Sequence, residues 1–102
     1  MRQFDVFENE SARSRERAPY LLALPGGYFL DRRTVIAPLI GAELLKPVQR
    51  LNPRFEIEGA AVLLSPLEIV NILTSELRRL VQNLEPERTA IAAALDLLFT
   101  GI

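Results

Sequence analysis

Few kinds of residue in this chain could carry chemistry. Its 102 residues include no Cys and no His. Disulfides, Cys or His metal sites, Cys nucleophiles and His-based triads are therefore excluded. Acid–base work would fall to Asp, Glu, Lys, Arg or Tyr. Glu56 and Glu58 stand two apart in RFEIE, a spacing that puts both carboxylates on one face of a strand. A general acid–base pair needs a pocket as well. None is evident around them, so both are expected in solvent. Arg13, Arg15 and Arg17 alternate with Ser14 and Glu16, the pattern of a solvated loop rather than of a phosphate-binding strip. Gly26 and Gly27 follow Pro25 without G-x-G-x-x-G or P-loop spacing, and read as a turn. No catalytic residue, metal ligand or cofactor is expected. Residues 97–102, LLFTGI, hold four large apolar side chains where chain ends are usually polar. Such a tail is either tied into the core or used as a contact surface.

The elements that must position these residues follow from length and pattern. The length suits one compact domain over residues 1–102. A domain of this size buries roughly 60–70% of the surface of its unfolded chain. Its core is thin, and a dimer would help it. Hydrophobic residues make up 49% and charged residues 25%, with a net charge of −1. That balance argues against binding dominated by nucleic-acid phosphates. The N-terminal MRQFDVFENE has no apolar signal-type stretch, and no run approaches the roughly 20 apolar residues of a membrane span. A soluble, cytoplasmic protein is expected.

Along the chain, QFDVF (3–7) alternates as a half-buried strand, and residues 8–19 form a polar loop. PYLLALP (19–25) and RTVIAPLI (33–40) read as strands. Pro38 points to an edge or a bulge in the second of these. Ala42–Lys46 suits one helical turn, stopped by Pro47. RFEIE (54–58) and AVLLSP (61–66), bent at Gly59, make a hairpin, and LEIVNIL (67–73) is a further strand. Leu77, Leu80, Val81 and Leu84 then fall at helical spacing behind Thr74 as N-cap. A last helix begins near Pro86, with Glu85 and Glu87 at its positive end. Ile91, Leu95, Leu98 and Ile102 form its apolar stripe, with Ala94 and Phe99 beside it. Gly101 is its stop. The stripe residues are expected to pack on the sheet, while Leu97, off the stripe, is an interface candidate.

MRQFDVF (1–7), RRTVIAPLIGAELL (32–45), LNPRFEIEG (51–59) and LDLLFTGI (95–102) occur in the order and near the spacing of the CcdB toxins of bacterial toxin–antitoxin modules. The chain resembles that family over nearly its whole length. The resemblance implies a mainly β fold with a C-terminal helix (α+β). This is an SH3-like small barrel of the CcdB/MazF type, with five to six strands and one long C-terminal helix. It implies a homodimer, neutralised by the C-terminal segment of a cognate antitoxin, and a non-enzymatic toxin that binds the DNA gyrase A subunit and traps gyrase on cleaved DNA. DNA would be met only indirectly, through the antitoxin. The family's gyrase contact, Trp-Gly-Ile, falls on Thr100, Gly101 and Ile102. Arg32 and Arg33 match the family's Arg pair and could hold acidic antitoxin side chains.

Thr100 is the departure. A buried Trp covers about 150–250 Å², worth roughly 4–6 kcal/mol of gross transfer energy. Truncating a hot-spot aromatic costs about 2 kcal/mol or more, roughly thirty-fold in affinity. Two further readings follow. One is a homologue that has lost poisoning but binds antitoxin and co-represses its operon. The other is a MazF-like endoribonuclease pairing Arg32 or Arg33 with a Glu.

Overall fold

The computed structural model describes residues 2–25 and 32–101. Gly26, Gly27 and Ile102, each singled out above, lie outside the described residues. Among the described residues seven strands precede one α-helix: β1 Asp5–Glu8, β2 Tyr20–Ala23, β3 Arg33–Gly41, β4 Arg54–Ile57, β5 Ala60–Leu64, β6 Val70–Leu73, β7 Leu80–Asn83 and α1 Arg88–Thr100. All pairings are antiparallel, in the order β4-β5-β3-β2-β1-β7, with β6 also on β3. The sheet curls into a half-barrel around one core. Val6, Leu22, Leu39, Ile57, Val62 and Leu64 line it, and Ile91 and Ala94 of α1 close it.

β3 is the axis of the sheet. One side pairs with β2 throughout Ile36–Leu39; the other pairs with β6 over Arg33–Ile36 and with β5 over Leu39–Gly41. Pro38 is therefore neither at an edge nor in an isolated bulge. It sits where the second side passes from β6 to β5, and its carbonyl accepts the Ser65 N–H at 3.1 Å. In an antiparallel strand a residue's N–H and C=O point to the same neighbour. The missing N–H of Pro38 thus faces the junction between two partners, where no ladder bond is lost.

The β4–β5 hairpin forms as expected. Ile57 pairs with Ala60, leaving Glu58 (φ 51°) and Gly59 (φ 81°) as a two-residue loop with positive φ at both positions. That geometry matches the right-handed twist of the flanking strands.

The helix expected around Leu77–Leu84 is absent. Thr74–Glu76 is a single 3-10 turn, and Leu80–Asn83 is β7, paired with β1. A fit of four apolar residues to helical spacing is weak over so short a run. Pairing to a free sheet edge outweighs it: Leu80 is exposed, Val81 is half-buried and Leu84 is buried. The chain then turns through a 3-10 segment at Glu85–Glu87, with Pro86 in its first turn, into α1.

Phe4 anchors this junction at φ 69°, a rare conformation for a bulky residue. Its N–H donates to the Ala23 carbonyl at 2.9 Å, and its carbonyl accepts the Leu84 N–H at 2.8 Å. Its ring is buried in the core beneath the Arg88 guanidinium, 5.5 Å from the ring centroid.

Candidate protein-interaction site

α1 changes character along its length. Ile91 and Ala94 are fully buried and Leu95 packs against the core, as its apolar stripe predicts. Leu97 and Leu98 are both only half-buried, so the stripe does not separate them. Phe99 is 74% exposed. It lies eight residues after Ile91, about 80° around the helix from that residue. The Thr100 hydroxyl donates back to the Asp96 carbonyl at 2.6 Å, which occupies its proton within the helix. Gly101 adopts φ 74° and its N–H closes on the Leu97 carbonyl at 2.9 Å. A Cβ at Gly101 would meet nothing within 4 Å, so glycine is required there for its backbone angle and not for space. The helix thus ends as an apolar tip presented to solvent.

A second recess lies on the outer face of the sheet. Leu21, Ile36, Pro38, Val70 and Ile72 form its apolar floor, in two adjoining hollows of about 350 and 340 Å³. The cross-strand pairs Leu21–Pro38 and Ile36–Val70 put these side chains on one face. The loop after β1 makes one wall, and it is folded. Asn9 Nδ2 donates to the Ala18 carbonyl at 2.7 Å, and the Asn9 side-chain oxygen accepts the Ser11 N–H at 3.0 Å. Arg17 crosses to Glu68 through two bonds of 2.8 and 2.9 Å, and Ser65 donates to the same carboxylate at 2.8 Å. Arg17 beside it, with help from Ser65, holds the Glu68 carboxyl below its ordinary range. Arg13 and Arg15 are exposed as expected; Arg17 is instead a cross-link.

Arg32 and Arg33 are exposed at the start of β3. Arg33 donates to Asn71 Oδ1 at 3.0 Å. Side chains alternate along a strand, so Arg33 lies on the face opposite Thr34, Ile36 and the groove floor. Arg33 and the apolar groove lie on opposite faces of β3.

The two glutamates differ. Both are exposed, as expected, and Glu58 also joins a network that links β1, β2 and the β4–β5 turn. Tyr20 donates to Glu58 Oε1 at 2.7 Å, and Arg79 donates to Glu58 Oε2 at 2.9 Å and also pairs with Glu8. Hydrogen bonding from Tyr20, then from Arg79, lowers the Glu58 pKa. Burial, reinforced by Glu58, pushes the Tyr20 phenol up to about 12. A carboxylate made less basic and a phenol made less acidic are poorly matched to proton transfer near neutral pH.

Compared with known families, residues 3–101 match the CcdB protein family. The chain belongs to the CcdB family. It is thereby of the toxin type found in toxin–antitoxin modules. No individual curated protein matches it. The CcdB match covers both the half-barrel and α1, up to Gly101 of the Thr-Gly-Ile tail. Among the described residues no helix is long and apolar enough to cross a membrane.

Sequence reasoning missed the exposure of Phe99, the groove, and the Tyr20–Glu58–Arg79–Glu8 network. The angular offset of Phe99 from Ile91 was a usable signal. The network joins residues 21 to 71 positions apart, and nothing local announces it.

Proposed function

We propose that this CcdB-family protein is a non-enzymatic, cytoplasmic toxin that works as a homodimer through the tip of α1. Its target is the DNA gyrase A subunit, met by Thr100, Gly101 and Ile102 together with Phe99, and held on cleaved DNA. The C-terminal segment of a cognate antitoxin neutralises it, with Arg32 and Arg33 as contacts for acidic antitoxin side chains. The observation that carries this reading is the apolar tip itself. Phe99, 74% exposed at the end of an otherwise anchored helix, is the large aromatic available where the family's Trp is missing. Exposed aromatics of this kind are frequent interface anchors. Pull-down with the gyrase A subunit and a DNA-cleavage trapping assay test it. Capture together with trapped cleavage is expected, and absence of both would remove the gyrase reading.

A second reading has its own support. Thr100 spends its hydroxyl proton on Asp96, so the position offers neither a ring nor a free donor. On that reading the protein binds antitoxin and co-represses their operon without poisoning gyrase. Growth unaffected by overexpression, with antitoxin binding intact, would favour it. On the endoribonuclease reading, Glu58 cannot be the partner of Arg33. Arg33 and Gly41 stand at opposite ends of β3, about 25 Å of strand apart. The β4–β5 turn with Glu58 lies beyond the Gly41 end.

A further inference from the structure

Asp5 is a buried carboxylate that enters no ion pair with a cation among the described residues. The residue is 3% exposed. Its Oδ2 accepts the Arg2 backbone N–H at 2.8 Å and its Oδ1 accepts Asn83 Nδ2 at 2.8 Å. Both donors are neutral, and Asp5 enters none of the ion pairs among the described residues. Buried charges are ordinarily matched by an opposite charge, because desolvation otherwise opposes the ionised form. A carboxylate has about four acceptor positions, and one bond to each oxygen leaves capacity on both.

Asp5 also lines a hollow of about 350 Å³, whose other walls are Arg2, Phe7, Thr74, Leu77 and Leu80. Phe7, Leu77 and Leu80 make an apolar lining, and Leu80 is 57% exposed at its mouth. The Thr74 hydroxyl is bonded to that of Thr34 at 2.7 Å, and an oxygen so bonded can still accept a further N–H. A single carboxylate, an adjoining hydroxyl and aliphatic walls suit a flexible methylene stem that ends in one ammonium. Among the described residues that line the hollow, Arg2 is the one cation. It is exposed, and its guanidinium can remain in water. The hollow is set apart from the tip of α1 and from the groove on β2, β3 and β6, sharing no lining residue with the groove.

We propose that this hollow receives a lysine side chain from a partner polypeptide, with its ammonium on Asp5 and its stem along Leu77, Leu80 and Phe7. A peptide side chain fits better than a free amine because the recess opens outward past Leu80 and does not enclose its contents. Nα-acetyl-lysine methylamide is the probe, followed by amide and methyl chemical-shift changes on the isotope-labelled full chain. Saturable shifts at Asp5, Phe7, Leu77 and Leu80 are expected. They should weaken at least tenfold in Asp5→Asn, and norleucine in the same blocked form should give none. Exposed Leu80→Ser keeps the test open should Asp5→Asn fold poorly, and should also weaken the shifts severalfold. In Arg2→Gln the lysine probe should bind at least as tightly. Weaker binding there would show that Arg2, and not Asp5, holds the probe and would overturn the proposal. Shifts of equal size in Asp5→Asn, or none in the unsubstituted protein, would overturn it as well. Tighter binding of free spermidine than of the blocked lysine would replace the peptide with a small polyamine.

Discussion

The root and the tip of α1 carry similar residues to opposite ends. At the root, Ile91 and Ala94 are fully buried in the same core as Leu22, Leu39 and Leu64. At the tip, about two turns later, Leu97 and Leu98 are half covered and Phe99 stands in solvent. Both halves are apolar, so composition does not distinguish them. The half-barrel does: it is short enough that the helix outruns it. A helix anchored at one end and apolar at the other is a rigid arm. It can present an apolar surface without the entropy that a flexible tail would lose on binding.

Substitutions at the two ends should separate stability from binding. The largest stability effect is expected at the root. Ile91→Ala should cost about 2–5 kcal/mol, as cavity-forming substitutions in packed cores do, measured by urea denaturation. The next effect belongs to the tip and to affinity. If the tip is the gyrase contact, Thr100→Trp should strengthen binding to the gyrase A subunit roughly thirty-fold. Its stability should stay within about 0.5 kcal/mol, as for most surface changes. Unchanged binding in that variant would exonerate residue 100. Gly101→Ala should cost about 1 kcal/mol of stability, since φ 74° strains any residue with a Cβ. Phe99→Ala should change stability least, by under about 0.5 kcal/mol, yet lower gyrase capture. If Phe99→Ala destabilised the protein as much as Ile91→Ala, the contrast between root and tip would fail.

A last, smaller prediction tests whether the barrel end of the arm titrates while the tip does not. Glu58 has a lowered pKa when folded, so its contribution is present above the ordinary carboxylate range and is lost as pH falls through the lowered value. Tyr20 is raised from 10 to about 12, so the unfolded chain releases its proton first and stability should fall as pH rises across that interval. Tyr20→Phe should flatten the alkaline limb of a stability–pH curve. Thr100→Val should leave the curve unchanged in shape.

Most of the architecture could be read from local pattern. Alternation marked β1 and β4, apolar runs marked β2, β3 and β5, and Gly59 marked the hairpin turn. Pro86 and Gly101 marked the limits of the last helix. Where reading failed, a distant partner decided the outcome. Leu80–Asn83 is a strand because β1 offers it an edge, and Asn83 secures that pairing through Asp5 and the Gln3 carbonyl at the other end of the sequence. Pro38 is central because β3 changes neighbours at that residue. For the candidate site, the family resemblance pointed to the last three residues, but exposure at the tip depends on where the barrel stops. No periodicity contains that length.

Phe4 faces two demands that no single substitution meets. Its backbone angle of 69° favours glycine or asparagine, while the core beneath Arg88 requires a large ring. A residue that relaxes the chain empties the core, and one that fills the core keeps the strain. Position 4 should therefore tolerate few replacements in a saturation library, although it lies near the chain terminus, where tolerance is ordinarily greatest.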